Sequence, residues 1–281
     1  MNTLKVWLLM GGLTILLVLM GNAINGQSGA LVFFLIAMAM NFIGYFYSDK
    51  IAIKMTGSYP VSEAEAPELY EIVRRLSQRA GIPMPRLYVT PSDQPNAFAT
   101  GRNPANSAVA VTEGIMRLLN RSEVEGVLAH ELAHIKNRDV LVGTIAAALA
   151  GAISMMAHVV QWGAIFGMGR GDDEEGGGGL VGALLMAIIF PIAAMIIQLA
   201  ISRSREYGAD ATGARIAGSS AGLANALLKL ESAAHRIPMQ VNPATSHMFI
   251  VNPLSGASMA RLFSTHPPIQ ERVERLRRMQ I

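Results

Sequence analysis

Residues 130 to 134 read His130-Glu131-Leu132-Ala133-His134, and this run has the residue types and spacing of a metal-assisted hydrolase. Side chains four apart share one face of an α-helix, so His130 and His134 offer two imidazole nitrogens to one metal ion. Neutral imidazoles suit zinc, and Glu131 beside them is placed to take a proton from the attacking water. A catalytic zinc uses three protein ligands and keeps one position open. Thiolates are excluded, because the chain has no cysteine. Further along, Glu206 is followed four residues later by Asp210. On a helix both acids share a face, so Glu206 ligates zinc while Asp210 accepts the free ring N–H of a zinc histidine, His130, and fixes its tautomer. The competing arrangement is a surface one, with both acids paired to Arg203 or Arg205.

Several elements must position these groups. Ser122-x-x-Glu125 is a capping-box pattern that predicts the start of the helix bearing the two histidines. Upstream, Ser62-x-x-Glu65 has the same pattern, followed by Leu69, Ile72, Val73 and Leu76 at helical spacing and a stop at Gly81. Leu87-Tyr88-Val89-Thr90 and Ala108-Val109-Ala110-Val111 read as short strands, with Asn96-Ala97-Phe98-Ala99-Thr100-Gly101 between them as a sheet-edge segment. Helices are expected at about 203–217, 221–234 and 267–279. Asp139 is placed to fix the end of the metal helix or its second histidine.

The rest of the chain is apolar in blocks. Only 15% of residues are charged, against about a quarter in soluble domains. No charged residue occurs from Val6 to Ser48, from Val140 to Gly169 or from Leu180 to Ile201. A bilayer core asks for roughly 20 apolar residues per helix. The first block is too long for one crossing, at about 65 Å if fully helical, and it breaks around 22–29, which predicts helices at 6–21 and 30–47. The other two blocks flank the acidic, glycine-rich linker 170–179, flexible by composition. Four transmembrane helices and two soluble stretches result. The organisation is a helix pair at 1–48, a first soluble part at 49–139, a hairpin at 140–201 and a second soluble part at 202–281. Lys50, Lys54, Lys136, Arg138, Arg203 and Arg205 border the soluble stretches, which puts those stretches on the cytoplasmic side. His158 falls inside the third span, where a neutral histidine bonded between helices is expected. The net charge of +3 is dispersed and argues against nucleic acid as a partner.

In its apolar pair, the Asn96–Gly101 segment, His130-Glu131-x-x-His134, the inserted apolar pair, Glu206-x-x-x-Asp210 and Ser264-Thr265-His266-Pro267-Pro268, the chain resembles the HtpX-type membrane metallopeptidases. That group shares a broad family with the CAAX prenyl proteases of the Ste24 kind. The resemblance implies an α-helical membrane protein carrying a mainly α domain with a small β-sheet (α+β) of the gluzincin type. It implies one zinc per chain on His130, His134 and Glu206, with Glu131 as general base. It also implies a bacterial inner-membrane endopeptidase, facing the cytoplasm, that removes misfolded or damaged membrane proteins. On the same resemblance His266 stabilises the oxyanion with Arg272 in support, while Asn96, Ala97 and Phe98 line the edge to which substrate adds as a strand. A Ste24-like prenyl protease, an intramembrane protease and a non-catalytic zinc-binding chaperone or scaffold are the alternatives.

Overall fold

The computed structural model describes residues 2–143, 204–236, 250 and 267–281. Helix α1 spans Asn2–Met55 and is interrupted at Asn25 (φ −145, ψ 37) and Gly26 (φ 52, ψ −143). The break is two residues wide, narrower than the expected turn over 22–29, because Gly26 adopts a positive φ at little steric cost. The two limbs fold back on each other. Gly21 and Gly29 meet so closely that a Cβ on either would lie 2.0–2.3 Å from the other's carbonyl oxygen. Farther along, Asn41 Nδ2 donates to Thr14 Oγ1 at 3.0 Å and to the Met10 carbonyl at 3.3 Å. Among the described residues one helix, Asn25–Met55, is long and apolar enough to cross a membrane; Val6–Asn22 is apolar but shorter. The second limb does not end near residue 47 as expected. It runs on to Met55 because Ala52, buried against Phe98 and Ala110, makes it part of the folded domain. The predicted third and fourth spans and the linker lie outside the described residues, except for a helical segment at 139–143.

Four strands follow: β1 (Tyr59–Pro60), β2 (Arg86–Thr90), β3 (Ala97–Asn103) and β4 (Asn106–Thr112). Their spatial order is β1-β2-β4-β3, with β2 and β4 parallel and both outer pairings antiparallel. The segment expected at a sheet edge is therefore an edge strand. Leu87, Ala97, Val109 and Val111 point into the main core, while Phe98 and Ala110 point to Ala52 of α1. A strand covered on both faces loses the apolar/polar alternation, which explains the continuous Ala-Val-Ala-Val of β4.

Helices supply the other layer. Helix α2 (Pro67–Ala80) buries Leu69, Ile72, Val73 and Leu76 and stops at Gly81, whose φ is 67. The Ser62–Glu65 pattern does not cap it. Both the Ser62 N–H and its hydroxyl donate to Glu65 in a preceding turn, and Ala66 is the uncapped entry residue. Pro67 decides this, since proline suits the first helical turn and bars its predecessor from helical geometry. The short α3 (Glu113–Leu118) is capped by Thr112. Helix α4 (Arg121–Asn137) carries the metal motif and is capped by Asn120 and Glu123, two residues before the expected Ser122 and Glu125. Asn120 Oδ1 accepts from the Glu123 N–H at 3.0 Å, and Glu123 returns the bond to the Asn120 N–H at 2.9 Å. Glu125 turns outward instead, to Arg75 and Arg121. Helix α5 (residues 204–217), α6 (Ala221–Arg236) and α7 (Ile269–Arg277) complete the bundle. They match the expected helices to within about two residues, the ordinary uncertainty of helix ends.

Replacing the cap tests the register of α4. Asn120→Ala is expected to cost about 1 kcal/mol of stability and Ser122→Ala clearly less, measured by thermal unfolding of the detergent-solubilised protein.

Candidate metal centre

Helix α4 is buried on nearly every side, from Val124 and Gly126 through to Ala133. Two glycine approaches allow this. A Cβ at Gly126 would sit 2.3 Å from the Leu223 nitrogen of α6, and one at Gly213 of α5 would sit 2.8 Å from the His130 Cα. With α5 lying against His130, the next turn of that helix brings Glu206 and Asp210 to the same side. Three candidate ligand residues converge. His130 Nε2 and His134 Nε2 are 3.2 Å apart, His130 Nε2 lies 3.6 Å from Glu206 Oε2, and His134 Nε2 lies 3.5 Å from Glu206 Oε1. Tetrahedral zinc with bonds near 2.0–2.1 Å has ligand–ligand edges of about 3.3 Å. The donor set and its spacing therefore fit a zinc-sized ion, with one tetrahedral position not supplied by these three. His130 and Glu206 are buried, and the side chain of His134 is 14% exposed, so the opening is on the His134 side.

Carboxylates stand beside the far ring nitrogens. His130 Nδ1 lies 3.0 Å from Asp210 Oδ1, and His134 Nδ1 lies 3.4 Å from Asp139 Oδ2. Each contact leaves Nε2 for the metal. Both acids are held in turn. Arg272 of α7 donates to Asp210 through Nε at 2.9 Å and Nη2 at 2.7 Å, and Arg205 Nη1 donates to the Asp139 carbonyl at 3.0 Å. Burial works to raise the Asp210 carboxyl, yet the Arg272 guanidinium and the His130 ring hold it down at about 2. Burial likewise works to lower the His134 imidazole, but hydrogen bonds to Asp139 and Glu206 override it and push it up to about 10. His130 is raised for the same reasons. The site thus favours positive charge. Four buried carboxylates (Glu131, Asp139, Glu206, Asp210) face the guanidiniums of Arg205 and Arg272. A divalent metal held by His130, His134 and Glu206 would supply the two positive charges still wanting and let both imidazoles stay neutral.

Glu131 is raised above the ordinary carboxylate range, chiefly by burial. The nearby backbone of Ala99, in the edge strand β3, works weakly in the opposite direction. A buried acid shifted upward in this way is suited to general-base work.

The structure brings His130, His134, Glu206, Glu131, Asp210 and Asp139 together as the sequence suggested. Of the other candidates, the structure describes Asn96, Ala97, Phe98 and Arg272. His266 lies outside the described residues. Ala97 and Phe98 are buried, facing the main core and α1 respectively, and Asn96 is 4% exposed. Arg272 is fully buried, with no exposed surface, and its contacts are with Asp210, Glu206, the Ile250 carbonyl and His130. One signal for this was available. Arg272 falls on the apolar stripe Ile269, Val273 and Leu276, where an unpaired arginine would be costly. Nothing in the sequence pointed to Arg205 as the holder of Asp139.

Comparison with known proteins agrees with this geometry. A family model described as peptidase family M48 matches residues 63–280. A protease HtpX homolog of Pelotomaculum thermopropionicum is 74% identical over 281 residues, covering the whole of both chains. Another, from Thermococcus kodakarensis, is 56% identical and covers 98% of this chain and 95% of its own. Among solved structures, Ste24p of S. mikatae aligns with a TM-score of 0.51 at 20% identity, covering 98% of this chain. The chain spans only 65% of the length of that protein, and the likeness is one of fold.

The close approach of α5 to His130 is testable through two glycines of the same helix. Gly213→Ala forces a methyl against the α4 backbone and is expected to cost about 1–3 kcal/mol. Gly208→Ala meets nothing within 4 Å and is expected to be neutral or to stabilise by up to about 1 kcal/mol. Thermal unfolding of the two variants checks the contrast.

Proposed function

The chain belongs to peptidase family M48, and on that footing we propose that it is a membrane-bound zinc endopeptidase that hydrolyses internal peptide bonds of misfolded or damaged membrane proteins. The observation that carries the reading is the convergence of His130, His134 and Glu206 at zinc-ligand spacing, with the buried Glu131 beside them. The protease HtpX homologues to which the chain is so similar support the protease reading. Three converging protein ligands among the described residues favour an open catalytic site over the four-ligand closure usual for structural zinc. This argues against the scaffold reading.

A zinc ion in the nest would supply the Lewis acid for the scissile carbonyl and the attacking water. The protein residues do the rest. Glu131 accepts the proton of the attacking water and returns it to the leaving amine nitrogen. Glu131 lies near the Ala99 backbone of β3, so a substrate added as a strand along that edge passes the general base. His266, three residues before α7 begins, is assigned to the developing oxyanion. Asp210 and Asp139 keep the two imidazoles in the tautomer that faces the metal.

The proposed setting is the bacterial inner membrane, crossed four times, with both soluble parts on the cytoplasmic side. The long apolar limb of α1 and the lysines at its exit, Lys50 and Lys54, support that orientation. The charged residues that bracket α4 argue against a site within the hydrocarbon.

The test uses metal-free protein in detergent, one added equivalent of zinc and an unfolded protein substrate. Wild type is expected to cleave only with zinc. Glu131→Gln should bind zinc and lose about 10²–10⁴-fold in rate. A folded, zinc-loaded Glu131→Gln that cleaves at the wild-type rate would overturn the proposal.

A further inference from the structure

Two side chains far apart in sequence grip the backbone of one residue, Ile250, next to the metal centre. The Ile250 N–H donates to Asn96 Oδ1 at 3.1 Å, and the Ile250 carbonyl accepts from Arg272 Nη1 at 3.2 Å. All three residues are buried. Asn96 is itself fixed, since its N–H donates to Thr112 Oγ1 at 2.8 Å and its carbonyl accepts from the Thr112 N–H at 2.9 Å. Arg272 is fixed on Asp210, whose carboxylate lies 3.0 Å from His130 Nδ1. A continuous run of polar contacts therefore leads from Thr112 through Asn96, Ile250, Arg272 and Asp210 to the ligand His130.

From this we infer that Asn96 is a positioning residue for the metal centre, acting through Ile250 and Arg272, and that it does not touch substrate. Holding Arg272 in place matters because of where else it can go. Its Nη1 lies 3.4 Å from Glu206 Oε2 and its Nη2 lies 3.5 Å from His130 Nε2, both metal-ligand atoms. A buried guanidinium must place its five N–H donors somewhere, and an unmet one is costly. The Ile250 carbonyl occupies Nη1, and the bond from Asn96 anchors the residue that carries that carbonyl. Without the Asn96 acceptor the Ile250 peptide is released, Nη1 loses its partner, and the guanidinium turns toward Glu206 and His130 in competition with the metal. The inference rests on the zinc site proposed above.

Zinc affinity of the full-length protein in detergent, measured by competition with a chromophoric chelator, tests it. Asn96→Ala is expected to bind zinc about 10-fold more weakly, in the range typical for lost outer-shell partners. Its amide exchange should be faster in the peptide containing Ile250, and KM should be unchanged once zinc is saturating. Asn96→Asp, which keeps an acceptor oxygen at the same place, should stay within about 3-fold of wild type, well short of an outer-shell loss. The inference is overturned if Asn96→Ala binds zinc as wild type does and raises KM instead. It is equally overturned if Asn96→Asp loses as much affinity as Asn96→Ala, or if exchange at Ile250 does not change. His134→Ala separates the two readings: if it too leaves zinc affinity untouched, the zinc site itself is at fault rather than the clamp.

Discussion

Buried charge around one turn of α4 is the constraint on which the rest of the structure depends. Glu131, Asp139, Glu206 and Asp210 are each at most 5% exposed, and so is His130. Isolated carboxylates in such surroundings would be very costly. Partners answer them: Arg272 for Asp210, and the imidazoles for Asp210, Asp139 and Glu206, while burial raises Glu131 toward its neutral form. The balance still calls for two positive charges, and the nitrogens facing the centre are spaced for one divalent ion. Metal affinity and fold stability are thus one problem in this domain. Whatever moves α5 or α7 against α4 disturbs both.

Close helix contacts follow from that need. Bringing Asp210 and Glu206 within reach of His130 requires α5 to lie nearly on the α4 backbone, and Gly213 makes room for it. Gly126 and Gly222 do the same between α4 and α6, where a side chain on either would strike the other helix's backbone. The capping box at Asn120 and Glu123 joins this contact as well, because Lys229 of α6 donates to Glu123 at 2.7 Å. The start of α4 and the metal ligands are thereby held by the same neighbours.

The apolar helix is built into the domain rather than attached beside it. Ala52 of α1 packs on Phe98 and Ala110 of the sheet, and the Thr100 hydroxyl donates to the Ser48 carbonyl at 3.4 Å. On the first limb, Val6 packs with Leu141 and Val142, two to three residues beyond Asp139, the partner of His134. The edge strand and the acid that orients a metal ligand are each tied to the apolar helices. This ties the height of the candidate site to the membrane surface.

Much of this was legible in the sequence, for identifiable reasons. Local rules determined two pairs, His130 with His134 and Glu206 with Asp210, because an i, i+4 spacing puts two side chains on one helix face whatever surrounds the helix; the contact of α5 with α4 at Gly213 brought the pairs together. Local rules also determined the edge position of residues 96–101, the stop at Gly81 and the helices after residue 203. Only the tertiary structure decided which of two overlapping capping patterns starts α4, because Asn120 and Ser122 both qualify locally and the Arg75 and Lys229 contacts separate them. It alone extended α1 to Met55, since the apolar partner that makes Ala52 a core residue comes from strands some fifty residues later. It alone placed Asn96 and Arg272. Their roles come from a shared grip on Ile250, 154 and 22 residues away along the chain, and no periodicity within a single helix or strand records a contact across that distance.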